Sequence, residues 1–140
     1  MKAVTQIIKR KSWLLIFTGI LLAGLCSSVC VQAQDSTVGK TVTQKKFERL
    51  MNKKNTVLLD VRTTEEYKAG HIPGAVQIDV QKTDAFKKQV ESLDKNKIYL
   101  VYCRSGKRSN TAKTMMSELG FTKLYDLEGG FTKWTGLKEQ

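Results

Sequence analysis

The sequence predicts an α/β domain: a mostly parallel sheet with helices on both faces. Two observations carry this. The strongest strand candidates, Val57-Leu58-Leu59-Asp60-Val61 and Ile98-Tyr99-Leu100-Val101-Tyr102, are solid apolar runs rather than alternating ones, the mark of strands buried on both faces. Segments with helical periodicity separate the strand candidates, and no two-residue hairpin turn joins them, so crossover connections are required. With 140 residues, 41% hydrophobic and 26% charged, the chain has room for one domain with a proper core.

Residues 1–33 form a targeting segment. Lys9-Arg10-Lys11 is a positive n-region, Trp13 to Leu25 an apolar h-region, and Val31-Gln32-Ala33 places small residues where a signal peptidase reads. Cleavage before Gln34 and export, to a periplasm, are therefore expected. Two alternatives stand beside it. The uncharged run from Trp13 to Val31 is nineteen residues, long enough to span a bilayer as an uncleaved anchor. Lipid modification at Cys26 or Cys30 is the other, although Leu25 and Val29 are bulky for a lipoprotein signal.

Four of the 24 basic residues and none of the 13 acidic ones fall in that segment, which leaves a net charge of +7 on the rest. Nothing here resembles a nucleic-acid reader motif or a stacking platform, so the charge reads as a solvated basic surface that attracts small anions. Cleavage would also remove two of the three cysteines. Cys103 would then have no intramolecular disulfide partner, which excludes the C-x-x-C chemistry of thiol–disulfide oxidoreductases.

In order, residues 34–42 read as a polar lead and 43–137 as the domain. Thr43 is expected to cap a helix with Phe47, Leu50 and Met51 at i, i+3 and i+4. The strand at Val57–Val61 follows. Thr64 is expected to cap a brief helix through Ala69, with Glu65 and Glu66 in its first turn. Gly70 stops it, and Pro73-Gly74 turns the chain into a weaker strand, Ala75–Ile78. Asp84 to Leu93 is helical, with Phe86, Val90 and Leu93 on one face. The strand at Ile98–Tyr102 is succeeded by a helix with Ala112, Met115, Met116 and Leu119 on one face. That spacing makes the methionines core packing rather than a soft-metal site. Leu124–Leu127 is a last strand, and Phe131 and Trp134 begin a last short helix after Gly129-Gly130.

Between the strongest strand and its helix lies Cys103-Arg104-Ser105-Gly106-Lys107-Arg108-Ser109, a loop with three cations and no acid. In parallel sheets, ligands bind beyond the carboxyl ends of strands, where Cys103 lies. A thiolate is favoured at helix N-termini and beside Lys or Arg. The amides of residues 104–109 can form an anion nest if Gly106 takes the required φ. Ser109 is expected to cap the helix, and Arg104, Lys107 and Arg108 to add charge for a dianionic substrate. These cations make burial of Cys103 in an apolar core unexpected.

Three motifs then resemble those of the rhodanese family of sulfurtransferases. Asp60-Val61-Arg62-Thr63-Thr64-Glu65-Glu66-Tyr67-Lys68-Ala69-Gly70-His71-Ile72-Pro73-Gly74-Ala75 is similar to the family's D-V-R-x-x-x-E-[FY]-x-x-G-H-I-P-G-A signature. The Cys103 loop resembles its active-site loop, and Gly129-Gly130-Phe131-Thr132-Lys133-Trp134 its C-terminal G-G-x-x-x-W. The resemblance implies ping-pong transfer: Cys103 takes the outer sulfur of thiosulfate or a similar donor as a persulfide, and cyanide or a thiol, protein thiols included, removes it. It implies that residues 104–109 bind substrate, with no metal or organic cofactor. The protein is expected to be a monomer without nucleic-acid partners. Asp60 and Arg62 are expected to brace strand ends by pairing with each other or with Glu65 or Glu66, and His71 to orient a loop rather than act as a base.

Two rivals remain. Rhodanese-like cysteine phosphatases carry Cys, five residues, then Arg; here the arginine comes one position earlier, at Arg108, and Ser109 stands in its place. A rhodanese-fold interaction or sulfur-carrier module is the other, and retention of Cys103 in a full cationic loop speaks against an inactive version of it.

Overall fold

The computed structural model describes residues 39–140; the targeting segment expected over residues 1–33, with its cleavage site and Cys26 and Cys30, lies outside them. Five strands and five helices alternate. They are β1 (Lys40–Val42), α1 (Gln44–Met51), β2 (Thr56–Asp60), α2 (Thr64–Lys68), β3 (Val76–Gln77), α3 (Thr83–Glu91), β4 (Ile98–Tyr102), α4 (Lys107–Glu118), β5 (Leu124–Leu127) and α5 (Gly130–Lys133). The strands form one sheet in the order β1-β5-β4-β2-β3, and every pairing in it is parallel.

The two apolar runs read from the sequence are the central strands. β2 and β4 pair along their whole length, from Thr56 opposite Ile98 to Asp60 opposite Tyr102. Because side chains alternate along a strand, β4 serves two cores at once. Tyr99, Val101 and Cys103 face one, with Phe86 and Val90 of α3 and Ala112 and Met116 of α4. Leu100 and Tyr102 face the other, with Phe47 and Leu50 of α1 and Trp134. Phe47, Phe86, Leu100 and Met116 are fully buried, each stabilising the fold by roughly 1.5–3 kcal/mol relative to exposure.

Two local expectations need correction, and a third holds in position only. The polar lead ends earlier than residue 42, because Lys40–Val42 adds an edge strand paired to Tyr125–Leu127. Only Val42 of the three is buried, so no apolar run announced it. Thr63 rather than Thr64 caps α2: its side chain accepts from the Glu66 amide while the Glu66 carboxylate accepts from the Thr63 amide, a reciprocal capping box. Thr43 occupies the N-cap of α1 without a side-chain cap bond.

The arrangement creates a switch point. The chain leaves β2 through α2, whose Tyr67 packs on the second core, and leaves β4 through α4, which covers the first. Neighbouring parallel strands whose connections depart to opposite faces open a crevice at their carboxyl ends. Asp60 ends β2 and Cys103 follows β4, so both motifs meet there.

Candidate active site

Cys103 continues the alternation of β4, so its side chain turns inward with Tyr99 and Val101. It is 1% exposed, contrary to the expectation from its cationic neighbours. Strand parity sets the direction of the sulfur, whereas Arg104, Ser105 and Lys107 lie exposed on the loop above it. Gly106 adopts φ 105°, a conformation open to glycine, and its amide donates to Cys103 Sγ at 3.1 Å. One amide of the loop is thus directed at the sulfur. Lys107, Arg108 and Ser109 open α4, and first-turn amides have no intrahelical acceptor. The loop therefore presents one donor to the sulfur and leads into first-turn amides free of intrahelical acceptors.

Ser109 is not the cap. Gly106 holds that position, and Ser109, fully buried, donates from Oγ to the Gly106 carbonyl at 2.9 Å. Arg108 also differs from a free steering cation. Its two terminal nitrogens donate to both Glu66 oxygens, at 2.6 and 2.7 Å. This hydrogen bonding holds the Glu66 carboxyl down to about 2 despite partial burial, and raises the Arg108 guanidinium in turn. Arg104 and Lys107 are left as the exposed cations of the loop.

At the end of β2, Asp60 and Arg62 pair with each other. Arg62, 4% exposed, donates from Nε to both oxygens of fully buried Asp60 at 2.9 Å, and from Nη2 to the Gly70 carbonyl at 2.8 Å. Burial disfavours its charge, yet the Asp60 bonds and charge raise its pKa overall. The guanidinium lies 4.1 Å from the Phe131 ring centroid and 5.5 Å from that of Tyr102, close enough for cation–π attraction. A shallow cleft of about 270 Å³ beside the loop is lined by Arg62, Glu66, Ala69, Arg104, Phe131 and Thr132. His71 stacks on Tyr67 at 3.8 Å, with Nδ1 3.1 Å from the Tyr67 carbonyl and Nε2 3.8 Å from Glu139. Its backbone bridges to Glu139. His71 thus contacts both α2, through Tyr67, and the C-terminal segment, through Glu139.

One part of the site was not foreseen. The amides of Phe131 and Thr132 donate to the carbonyls of Cys103 and Arg104 at 2.8 and 3.0 Å, and Thr132 Oγ1 adds a 2.8 Å bond to the latter. A Cβ on Gly130, which has φ 60°, would stand 2.5 Å from the Cys103 carbonyl oxygen. The Gly129-Gly130 pair therefore lets α5 approach the loop's backbone and pin it. The glycine pair was visible in the sequence; its partner strand end was not. Among the described residues no cluster of His, Cys, Asp and Glu could hold a metal ion.

With a switch-point cysteine under a donor loop and both flanking motifs packed on it, the fold and the site define a class. The chain belongs to the rhodanese-like family, whose domain model matches residues 43–137. It is 34% identical over 123 residues to the uncharacterized protein YqhL of Bacillus subtilis, covering 88% of this chain and 90% of that one. It is 35% identical over 85 residues to the thiosulfate sulfurtransferase GlpE of Coxiella burnetii, covering 61% and 77%. A crystal structure of a rhodanese-like domain protein from Staphylococcus aureus superposes with a TM-score of 0.59 at 30% identity, covering 68% and 90%. Other relatives are longer and differently named. The chain spans 43% of a putative sulfur carrier protein of B. subtilis and 31% of a tRNA uridine(34) hydroxylase of Cytophaga hutchinsonii.

Proposed function

We propose that the protein is a sulfurtransferase that carries a sulfane sulfur on Cys103. The observation that carries this reading is the Gly106 amide directed at Cys103 Sγ from a loop that opens a helix. Such donors stabilise a thiolate and, after transfer, a persulfide. In the first half-reaction the thiolate attacks the outer sulfur of thiosulfate; the S–S bond breaks and sulfite leaves with its electron pair. In the second, cyanide or a thiolate attacks the outer persulfide sulfur, and the Cys103 thiolate departs, regenerating the enzyme. Arg104 and Lys107 attract the dianion, the loop amides hold it, and Arg108 keeps the loop in place through Glu66. The donor is thiosulfate or a similar small sulfur anion, whose charge suits this loop, and the name of the C. burnetii relative supports thiosulfate.

The phosphatase alternative fits less well, since Ser109 occupies the position of the required arginine and is turned inward onto Gly106. Export, with cleavage before Gln34, belongs to the same proposal and rests on the n-region, h-region and small-residue pattern. An N-terminal residue other than Gln34 on protein recovered from an exporting host would refute that site. The catalytic reading is tested with thiosulfate and cyanide: the wild type forms thiocyanate and Cys103→Ser does not. Equal turnover by both, or phosphate release from an aryl phosphate without sulfur transfer, overturns it.

A further inference from the structure

Beneath the loop lies a group of buried polar side chains that the transfer chemistry does not use. Lys113 of α4 is 2% exposed and Asp126 of β5 is 3% exposed. Lys113 Nζ contacts Asp126 Oδ1, and Thr41 Oγ1 donates to the same oxygen at 2.9 Å. The other oxygen, Oδ2, faces Ser109 Oγ at 3.5 Å. Gly39 closes over the group: a Cβ there would stand 2.9 Å from Lys113 Cδ and 2.8 Å from the Leu124 carbonyl oxygen. A buried charge pair is weak evidence for stability, because desolvation offsets most of its attraction, so its placement needs another explanation.

Ser109 supplies one. Its hydroxyl has a single proton and two acceptors within reach: the Gly106 carbonyl at 2.9 Å and Asp126 Oδ2 at 3.5 Å. An unpaired carboxylate is much the stronger acceptor and would draw that proton away. Lys113 neutralises it and, with Thr41, occupies Oδ1, so the proton stays with Gly106. The same carbonyl also accepts from the Asn110 amide at 3.1 Å. Held twice from inside α4, the Gly106 carbonyl fixes its planar trans peptide, whose Lys107 N–H points the opposite way, out of the helix end. The Gly106 amide on Cys103 Sγ belongs to the adjoining peptide.

We propose that Lys113, Asp126 and Ser109 form a positioning relay that holds the Gly106–Lys107 peptide and thereby sets how tightly the loop grips an anion at Cys103. The relay rests on the sulfurtransferase reading for its purpose, though its geometry is independent of it. None of the three hydrogen-bonds the sulfur, which meets the Gly106 amide; they act through Gly106.

The test uses the full-length protein with Lys113→Met, Ser109→Ala, the double variant Lys113→Met/Ser109→Ala, and Lys113→Met/Asp126→Asn, which removes both charges. Two readouts are taken. One is kcat/KM for thiosulfate. The other is the ratio of Cys103 alkylation rates by anionic iodoacetate and neutral iodoacetamide, which reports anion affinity whether or not sulfur transfer occurs. Lys113→Met and Ser109→Ala should each lower both readouts about 3- to 10-fold, the range of one hydrogen bond. Their combination should fall no further than Ser109→Ala alone, because both act on one proton. Lys113→Met/Asp126→Asn should recover most of the loss. Additive losses, or an alkylation ratio unchanged in every folded variant, overturn the relay. Loss of the thiosulfate reaction in the wild type, with the alkylation pattern as expected, refutes the proposed substrate and leaves the relay standing.

Discussion

The Cys103 loop is held on two sides by different means. At its start, α5 grips the backbone: the amides of Phe131 and Thr132 bond the carbonyls of Cys103 and Arg104. At its end, a side-chain pair does the work, with Arg108 forked onto Glu66. The first clamp is indifferent to the loop's side chains and intolerant of any side chain at Gly130. The second depends on a pair of opposite charges, with the Glu66 carboxylate also held by the Thr63 amide. The sulfur thus sits where a rigid attachment changes into an electrostatic one, and the exposed Arg104 and Lys107 remain as cations that a substrate can meet.

Substitutions should separate the two attachments. The largest effect belongs to Gly130→Ala. Its φ alone costs about 1–3 kcal/mol for a residue with a Cβ, and the added methyl would collide with the backbone of Cys103 and Arg104. Thiosulfate turnover should fall by about 100-fold or more, together with a lowered thermal midpoint. Full activity in Gly130→Ala would show that the backbone clamp is dispensable.

Next comes Glu66→Gln, which keeps shape and removes charge. Turnover should drop about 3- to 10-fold with no rise in KM for thiosulfate, since the released guanidinium is free to meet the anion. A tenfold rise in KM instead would mean that Glu66 helps to bind the donor. The pair also carries a pH signature. Glu66 is held at about 2 in the fold against 4.5 ordinarily, so its stabilisation is complete above pH 4.5 and disappears as pH falls through about 2. The difference in thermal midpoint between wild type and Glu66→Gln should therefore be constant near neutrality and vanish toward pH 2. A difference that vanishes between pH 6 and 7 would assign the effect to another group.

The smallest catalytic effect is expected of His71→Asn. The ring lies on Tyr67 and Glu139, so kcat/KM should change about 2-fold at most, whereas losing a general base costs roughly 10²- to 10⁴-fold. A pH–rate profile that loses an inflection in this variant would restore His71 to the chemistry.

The same contrast explains what the sequence could reveal. The central strands, the helices on both faces and the Cys103 loop were legible because apolar runs, helical spacing and an unusual cluster of cations are properties of adjacent residues. The Asp60–Arg62 brace was legible for the same reason, its partners lying two positions apart. Arg108 and Glu66 lie 42 residues apart, and no local rule says which acid an arginine in that loop will meet. Lys40–Val42 escaped because a three-residue edge strand buries one side chain. The inward turn of Cys103 was readable from the alternation of β4, but the loop's charge pointed the other way. Ser109 reads as a cap by residue type, and only the fold shows that it donates to Gly106 instead.

The most direct test of the account is the intact mass of the protein after thiosulfate alone, with no acceptor present. The wild type should gain one sulfur atom, mapped to Cys103 and removed by cyanide, and Cys103→Ser should gain none. An unmodified wild type that still converts thiosulfate and cyanide to thiocyanate, or a sulfur carried elsewhere than Cys103, would contradict it.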